Sequence, residues 1–229
     1  MAYRYAIYYS PSTESDLGAF GAEWLGRTIA GEDLAPPRLS GVSLDDWQTA
    51  VAAPRKYGFH ATLKAPFRLA DGTTENELVS ALTEFCASTT TADLGVLQID
   101  RIAGFLALTP EHHEAVGRLA ANIVRAFDHF RAPSTAEEIA RRQPEKLTPP
   151  QRRLLNRWGY PYVLEEYRFH MTITGHLTDP ETPKFLKTLE ARYAQLVEQA
   201  VSIKDVCLFR QETRKDQLVL AERYPLSGN

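Results

Sequence analysis

One short phrase occurs twice in the 229-residue sequence, and this repetition constrains the fold more than any other feature. Residues 57–63 read Tyr-Gly-Phe-His-Ala-Thr-Leu, and residues 167–173 read Tyr-Arg-Phe-His-Met-Thr-Ile. Because the two copies stand far apart in the chain, this is not a local repeat. The duplication predicts two related halves of the fold, each of which presents one histidine and one hydroxyl group.

The strand pattern within each copy separates apolar from polar side chains, since alternate residues of a strand face opposite sides of a sheet. Each polar face carries a histidine, a threonine and a cation: His60, Thr62 and Lys64 in the first copy, and His170, Thr172 and Arg168 in the second. Cationic and hydroxyl donors grouped in this way suit phosphate. Tyr57 and Tyr167 recur at the same position in both copies and are further candidates for binding the substrate.

Composition favours a small anionic substrate over a long nucleic acid, because the formal net charge is −3 and the sequence pI is about 6.1. The two cysteines, Cys86 and Cys207, have no metal-ligand spacing and are predicted to be buried. The sequence shows no leader and no apolar segment of membrane-spanning length, so we expect a cytoplasmic protein without a membrane partner. The oligomeric state stays open.

The remaining pattern predicts strands that alternate with amphipathic helices. We expect strands over 3–9, 57–69, 95–109, 166–177, 201–211 and 216–223, and helices from 16, from 43, and over 74–88, 110–128 and 182–199. Residues 131–162 interrupt this order with prolines and two short basic helical pieces, which predicts an insertion or lid. Its arginines either form a solvated face or belong to a lid over a phosphorylated substrate: Arg141, Arg142, Arg152 and Arg153.

The two phrases resemble the paired His-x-Ser/Thr-x-hydrophobic motifs of the 2H phosphoesterases, here His60 to Leu63 and His170 to Ile173. The longer phrases, from Arg55 to Phe67 and from Tyr167 to His170, are similar to a subgroup associated with phosphonate-degradation operons. The resemblance implies an α+β fold of two pseudo-symmetric lobes. Each lobe would be an antiparallel sheet with helices on its outer face, and the active site would lie in the groove between them.

On this resemblance, residues 1–229 form a single bilobal domain, with the first motif lobe at about 55–109, the second at about 163–224, and the insertion between them. The implied activity is a metal-independent cyclic phosphodiesterase that needs no cofactor. Its substrate would be a small phosphorylated ribose or nucleotide, such as phosphoribosyl 1,2-cyclic phosphate from phosphonate breakdown.

The chemistry requires two proton carriers, and histidine suits both tasks because its ordinary pKa of about 6.5 lies near working pH. One of His60 and His170 would take a proton from water while the other protonates the departing ribose oxygen; the sequence does not assign the two roles. Their threonines would hold the non-bridging oxygens. Lys64 and Arg168 would neutralise charge at phosphorus.

Three alternatives remain open. The first is an RNA-end 2′,3′-cyclic phosphodiesterase or 2′,5′ RNA ligase, and the second is a non-catalytic nucleotide- or RNA-binding module. The third is a metal site, which we disfavour because neither polar face carries an acidic residue. His176 offers a third nitrogen, but six residues after His170 on a strand it is expected to lie far along the sheet.

Overall fold

The computed structural model of the protein describes residues 3–196, 200–213 and 215–228. Among these residues no helix is both long and apolar enough to cross a membrane. The described chain forms nine strands: β1 (Arg4–Tyr9), β2 (Ala61–Phe67), β3 (Ala92–Gly95), β4 (Leu97–Ile102), β5 (Phe105–Pro110), β6 (Met171–Thr172), β7 (Val201–Ile203), β8 (Asp205–Gln211) and β9 (Val219–Pro225). It also forms seven α-helices: α1 (Asp16–Leu25), α2 (Leu44–Val51), α3 (Glu75–Ala87), α4 (Glu114–Ala126), α5 (Ala136–Ala140), α6 (Pro149–Trp158) and α7 (Thr182–Tyr193).

The strands confirm the α+β class with a large antiparallel sheet. Seven of them form one sheet in the order β4-β5-β6-β2-β1-β8-β9, and every neighbouring pair in it is antiparallel. β3 and β7 form a second, two-stranded sheet. The expected division into one sheet per lobe is therefore not what the pairing shows. The motif strands β2 and β6 are direct neighbours within a single sheet, because Ala61 pairs with Met171.

The two faces of the main sheet have different surroundings. On β1, Tyr5 and Ile7 belong to the main apolar core, which also takes residues from α1, α2, α3, α4 and α7. Ala6 and Tyr8 point to the opposite face, where they join a smaller cluster with Cys207. This alternation follows from the two-residue period of a strand. The five helices thus cover one face, and the other face is left for the small cluster and its surroundings.

The motif strands are shorter than predicted, and both motif histidines stand immediately before them. β6 has only two residues because the regular ladder ends there: the amides of Ile173 and Thr174 both donate to the Leu106 carbonyl of β5, at 2.9 and 3.2 Å. The Ile173 carbonyl accepts a hydrogen bond from Trp24 Nε1 at 3.1 Å, and the Gly175 amide donates to the Ala50 carbonyl at 2.6 Å. Together these bonds replace the regular ladder beyond Thr172, so the strand does not continue.

The predicted helices are present with shorter bounds, and the end predicted for the last one at 197–199 lies outside the described residues. α3 begins with a capping box in which Thr74 and Glu77 each satisfy a backbone amide of the other. The region predicted as strand over 95–109 consists of β4 and β5, which are joined by a tight turn, and β3 lies just before them. Both cysteines are buried as predicted, and burial raises the pKa of each thiol to about 12.

The insertion, residues 131–162, contains α5 and α6 and packs against the rest of the molecule. Leu154 of α6 forms an apolar cluster with Val124 of α4 and with Val163. Trp158 and Tyr160 are packed against this cluster. The aromatic residues of the insertion therefore pack on an apolar surface that includes α4.

Candidate active site

The pairing of β2 with β6 brings the two copies of the motif together. Ala61 lies opposite Met171 in an antiparallel pair, so residues that step away from this pair in opposite directions also face each other. Counting outward by one residue places each histidine opposite the threonine of the other copy: His60 opposite Thr172, and His170 opposite Thr62. Directly opposed residues have their side chains on the same face. One crossing point thus gathers all four motif side chains.

An open cavity of about 310 Å³ contains both histidines. His60, His170 and Thr172 line it together with Tyr57 and Phe105. Its volume is in the range of small-molecule pockets. The two histidines that stand far apart in the sequence therefore face one shared space.

Each motif histidine is oriented by a backbone carbonyl two residues before it. His60 Nδ1 lies 2.9 Å from the Gly58 oxygen, and His170 Nδ1 lies 2.8 Å from the Arg168 oxygen. Since a carbonyl only accepts, each Nδ1 carries a proton and donates it, which leaves Nε2 as the reactive nitrogen in the neutral ring. The Thr62 hydroxyl is 3.4 Å from His60 Nε2. Both copies therefore present Nε2 in the same tautomer.

Burial lowers the pKa of both imidazoles. For His60, burial outweighs the hydrogen bond to Gly58, which favours the charged ring, and the positive charges of His170 and Arg27 lower the pKa further, to about 4. For His170, burial lowers the pKa against the opposing effect of the Arg168 carbonyl. A proton on one histidine thus disfavours a proton on the other. At neutral pH His60 is uncharged and able to accept a proton.

Aromatic rings hold the two histidines in place on different sides. The His60 ring stacks on Tyr8 with 4.0 Å between ring centroids and also lies near Phe209 at 6.4 Å. The His170 ring has Phe105 as its neighbour at 5.7 Å. Burial raises the pKa of Tyr8 well above its usual value, so the ring beneath His60 stays neutral.

His176 lies much closer to the site than we expected from its position in sequence. It lines the same cavity as His60 and His170. The chain after Thr172 follows β5 irregularly, because the amides of Ile173 and Thr174 both donate to the Leu106 carbonyl before the Leu177 amide donates to the Gly104 carbonyl. Its ring packs over Gly104 in the β4–β5 turn, where a Cβ atom would come within 2.6 Å of the imidazole. Among the described residues, no group of three or more histidine, cysteine, aspartate or glutamate side chains is placed to hold a metal ion.

Lys64 is not brought to the histidines. An irregularity in β2 lets the consecutive β1 residues Ile7 and Tyr8 pair with Lys64 and Thr62, so one extra residue lies between these two partners. Thr62 therefore shares the face of Tyr8, whereas Lys64 shares the helix-covered face of Ile7. There its side chain is only 4% exposed, and Nζ lies 3.7 Å from Asp128. Burial lowers its pKa to about 8.

The other three candidates for binding substrate lie in different surroundings. Tyr57 lines the cavity, is 37% exposed, and has its ring 6.0 Å from that of His60. Arg168 is exposed and donates to the Tyr167 carbonyl at 3.3 Å. Tyr167 packs against the main core with its hydroxyl buried and, among the described residues, without a hydrogen-bond partner. The repeated tyrosine is thus a cavity residue in the first copy only.

Sequence reasoning missed Tyr8 and Phe105, and it misplaced His176. Tyr8 belongs to β1, which no motif marks, and only the pairing of Tyr8 with Thr62 reveals that it lies beneath the site. Phe105 begins β5, and its place beside His170 depends on the pairing of β5 with β6. Neither relation has a signal in the local pattern, because strand pairing is a tertiary property.

Two relatives are named for reactions of phosphorylated ribose. The chain is 36% identical over 231 residues to a ribose 1,5-bisphosphate phosphokinase PhnN of Janthinobacterium sp. (strain Marseille), covering 98% of this chain and 51% of the relative. It is also 36% identical over 193 residues to the protein of the same name from Laribacter hongkongensis (strain HLHK9), covering 83% of this chain and 44% of that relative. The chain thus spans about half the length of each.

A family model matches residues 62–219, a range that begins at the first motif threonine, includes the whole second motif and ends in β9. The match takes in most of the main sheet, the insertion and one wall of the cavity. The chain therefore belongs to the family described as protein of unknown function (DUF1045).

Proposed function

We propose that this protein is an enzyme, a metal-independent cyclic phosphodiesterase that opens the cyclic phosphate of a small phosphorylated ribose in phosphonate breakdown. The observation that carries the proposal is the crossing of β2 and β6, which sets each motif histidine opposite the other copy's threonine. Both histidines line one cavity and both keep Nε2 free of the backbone. Two imidazoles so placed can serve as base and acid on one phosphate.

His60 is the general base in this proposal, and His170 is the general acid. A water molecule attacks phosphorus while His60 Nε2 takes its proton. The bond from phosphorus to one ribose oxygen breaks, and Nε2–H of His170 gives its proton to that oxygen. Thr62 and Thr172 donate hydrogen bonds to the non-bridging oxygens. The roles follow from the surroundings: His60 is neutral because of its burial, and the bound anion favours the proton on His170.

The strand order supports the proposed two-fold relation between halves. Outward from the motif strands, the sheet reads β2-β1-β8 in one direction and β6-β5-β4 in the other, and β3 pairs with β7. A two-fold relation that equates β1–β4 with β5–β8 would produce this order. The proposed halves then begin at β1 and β5, earlier than the lobes of about 55–109 and 163–224 inferred from the motifs, and the whole forms one bilobal domain.

The names of the relatives agree with the substrate class but describe another reaction. Phosphorylated ribose occurs in the name of both relatives, each about twice as long as the matched region. This sequence contains no Gly-rich phosphate loop of the G-x-x-x-x-G-K-[ST] type. We assign the named kinase activity to the part of the relatives that this chain does not match, and the cyclic phosphodiesterase to the part that it does.

The test is product formation from phosphoribosyl 1,2-cyclic phosphate and from 2′,3′-cyclic nucleotides, with EDTA present throughout. We expect turnover of the ribose phosphate by the wild type and a loss of about 10²- to 10⁴-fold in kcat/KM in His60→Ala and His170→Ala. His113→Ala is the control, because this histidine is exposed and forms no capping bond at the start of α4.

If the protein preferred the 2′,3′-cyclic nucleotides as substrates, the proposed function would become that of an RNA-end 2′,3′-cyclic phosphodiesterase. Absence of turnover on every cyclic phosphate, by protein that still binds them, would replace the hydrolase with the non-catalytic binding module. Activity that EDTA abolishes and added zinc restores would overturn the two-histidine mechanism itself.

A further inference from the structure

Arg27 is a completely buried arginine for which the described chain offers no carboxylate partner. It follows the end of α1 and is 0% exposed. Asp33, the carboxylate that acts on it electrostatically, is instead paired with Arg55 at 2.8 Å. The other buried cation among the described residues, Lys64, has Asp128 as its partner. Since an unpaired buried charge is costly to the fold, stability alone does not explain Arg27.

The guanidinium of Arg27 holds the turn that leads into the first motif. Nη1 donates to the Arg55 carbonyl and Nη2 donates to the Leu218 carbonyl, each at 2.8 Å. The Leu218 amide donates in turn to the Lys56 carbonyl at 3.2 Å. These three bonds join the 3₁₀ turn Pro54–Lys56 to the chain just before β9. Nε of Arg27 is buried without a partner among the described residues, so hydrogen bonds satisfy only part of the charged group.

The same guanidinium lies behind the glycine that orients His60. Gly58 has a positive φ of +73°, and a Cβ atom built there would stand 3.6 Å from Nη1 of Arg27 and 3.3 Å from the Ile29 side chain. The Gly58 carbonyl accepts the hydrogen bond from His60 Nδ1 at 2.9 Å. Arg27 is not among the described residues that line the cavity. Its charge thus approaches the imidazole through one intervening residue, and it acts on a substrate in the cavity only through His60.

Within the part of the chain that the structure describes, the second copy of the motif has no buried charge of this kind. The carbonyl that orients His170 belongs to Arg168, whose own side chain is exposed to solvent. An exposed charge is screened much more than a buried one. The unpaired buried cation therefore lies beside the first copy only, which makes the surroundings of the two histidines unequal.

Arg27 stays charged at neutral pH and disfavours a proton on His60. Burial and the charge of Arg55 lower the pKa of Arg27 to about 10, which is still far above neutral. The pKa of His60 is lowered by burial first, and then by the charges of His170 and Arg27. The other titratable groups around His60 are two tyrosines and two histidines: Tyr8, Tyr57, His170 and His176. Of these groups and Arg27, only Arg27 is charged throughout the pH range of the proposed chemistry.

We propose that Arg27 is a positioning residue that makes His60, and not His170, the base of the reaction. Its two hydrogen bonds fix the turn that carries the Gly58 carbonyl, and its charge repels a proton from the imidazole that this carbonyl holds. The inference rests on the proposed function. A bound phosphate favours protonation of both histidines, and a positive charge beside only one of them directs the proton to the other. Arg27 would thus distinguish two motifs that are otherwise equivalent.

Titration of the imidazole nitrogens by NMR tests this inference without any turnover. In the wild type we expect the pKa of His60 to lie below that of His170. In Arg27→Gln the pKa of His60 should rise by about half a unit or more, because glutamine can still donate a hydrogen bond but carries no charge. In Arg27→Lys it should stay low, because lysine keeps the charge.

Arg223→Gln is the matched control. Arg223 also holds two backbone carbonyls, those of Ser10 and Pro11, at 2.7 and 3.0 Å. Asp205, however, pairs with it at 2.8 Å and balances its charge. The control therefore removes the same type of structural bond without removing an unpaired charge, and the pKa of His60 should not change in it.

Kinetics on phosphoribosyl 1,2-cyclic phosphate test the positional part of the role. Arg27→Gln should lower kcat about tenfold or more and change KM little, because the turn that orients the base loosens while the cavity keeps its lining. Arg27→Lys should recover part of the loss. Arg223→Gln should leave kcat unchanged.

The possible outcomes separate this inference from the proposed chemistry. A His60 pKa that does not move in Arg27→Gln, or that moves equally in Arg223→Gln, overturns the role of Arg27 even where the cyclic phosphodiesterase stands. An unchanged kcat in Arg27→Gln overturns it as well. If Arg27→Gln does not fold, the wild type decides, since a His60 pKa above that of His170 contradicts the role. The expected titrations in a wild type without turnover would remove the hydrolase and keep Arg27 as the residue that sets the charge of His60.

Discussion

The two copies of the motif have the same internal geometry and different surroundings. In both, Nδ1 of the histidine donates to the carbonyl two residues earlier, at 2.9 Å in the first copy and 2.8 Å in the second. Around this shared unit, His60 stacks on the buried Tyr8, whereas His170 is flanked by Phe105 and shares the cavity with His176.

The comparison shows which properties of each histidine are set by the repeated phrase and which are set by the rest of the fold. The repeated phrase sets the tautomer and the direction of each imidazole, because the bonded carbonyl belongs to the phrase itself. The neighbouring rings and charges come from other strands, and they set the pKa of each histidine. Two nearly identical motifs can therefore perform opposite proton transfers, which is the division of labour proposed for His60 and His170.

The largest effect should come from removing either imidazole. We expect His60→Ala and His170→Ala each to lower kcat/KM by about 10²- to 10⁴-fold, because each proton transfer depends on one positioned group. Single-turnover rates on phosphoribosyl 1,2-cyclic phosphate measure this directly. A loss confined to one variant would show that only one copy of the motif acts in catalysis.

Lowering the pH should reduce the free energy of unfolding, and protonation of the buried His60 should contribute more to this loss than protonation of an exposed histidine. The unfolded ring binds a proton at about pH 6.5 and the folded ring only at about pH 4, so stability is present above pH 6.5 and declines as the pH falls towards 4. The full difference corresponds to at most about 3 kcal/mol of unfolding free energy. Urea unfolding of wild type and His60→Gln at several pH values measures it.

Glutamine keeps hydrogen-bonding groups but does not titrate, so His60→Gln should show a flatter dependence of stability on pH. His170→Gln should act in the same direction, since burial also lowers that pKa. His113→Gln provides the exposed reference. Identical pH dependence in all three variants would mean that the rings around His60 do not exclude water from it.

A substitution at Gly104 tests how closely His176 is held in the second copy's half of the site. Gly104 and Gly72 both have positive φ angles, +92° and +83°, but an added Cβ meets the His176 ring only at Gly104 and nothing within 4 Å at Gly72. Gly104→Ala should therefore lower the free energy of unfolding by about 1–3 kcal/mol more than Gly72→Ala does. Thermal or urea unfolding measures the difference, and equal costs would show a loosely held ring.

The smallest effects should come from the threonines. Thr62→Val and Thr172→Val each remove one neutral hydrogen-bond donor, so kcat/KM should fall by up to about tenfold in each. Steady-state kinetics of both variants compare the two copies directly. Because Thr62 also lies 3.4 Å from His60 Nε2, its variant should in addition shift the acid limb of the pH profile. An acid limb that is unchanged in Thr62→Val would show that the Thr62 hydroxyl does not influence the pKa of His60.

The local sequence pattern predicted which helices and strands form, but it did not predict where they begin and end. The amphipathic period predicted a helix over 74–88, and α3 occupies Glu75–Ala87. Of the strand predicted over 166–177 only β6 forms, since the amides of Ile173 and Thr174 share the Leu106 carbonyl and the Gly175 amide bonds to Ala50. Partners of this kind lie far away in the sequence and leave no local signal.

Lys64 and His176 show the same limit in the site. Simple alternation put Lys64 beside His60, but an extra residue in β2 turned it to the helix-covered face, where Asp128 is its partner. Strand spacing put His176 far from His170, but regular pairing ends after Thr172, where two successive amides bond to the Leu106 carbonyl, and His176 lines the cavity. In both cases one departure from regular geometry reversed the prediction.

The sequence by itself determined the elements that repeat: the two His-x-Thr units, their apolar faces, and the short-range carbonyl contact that orients each imidazole. These depend on neighbours within a few residues, and a local pattern contains that information. Only the tertiary structure decided that the two units cross at Ala61 and Met171, that Tyr8 lies beneath His60, and that His176 lines the shared cavity. Those relations depend on strand register and on the packing of distant segments, which many sequences with the same local pattern could arrange differently.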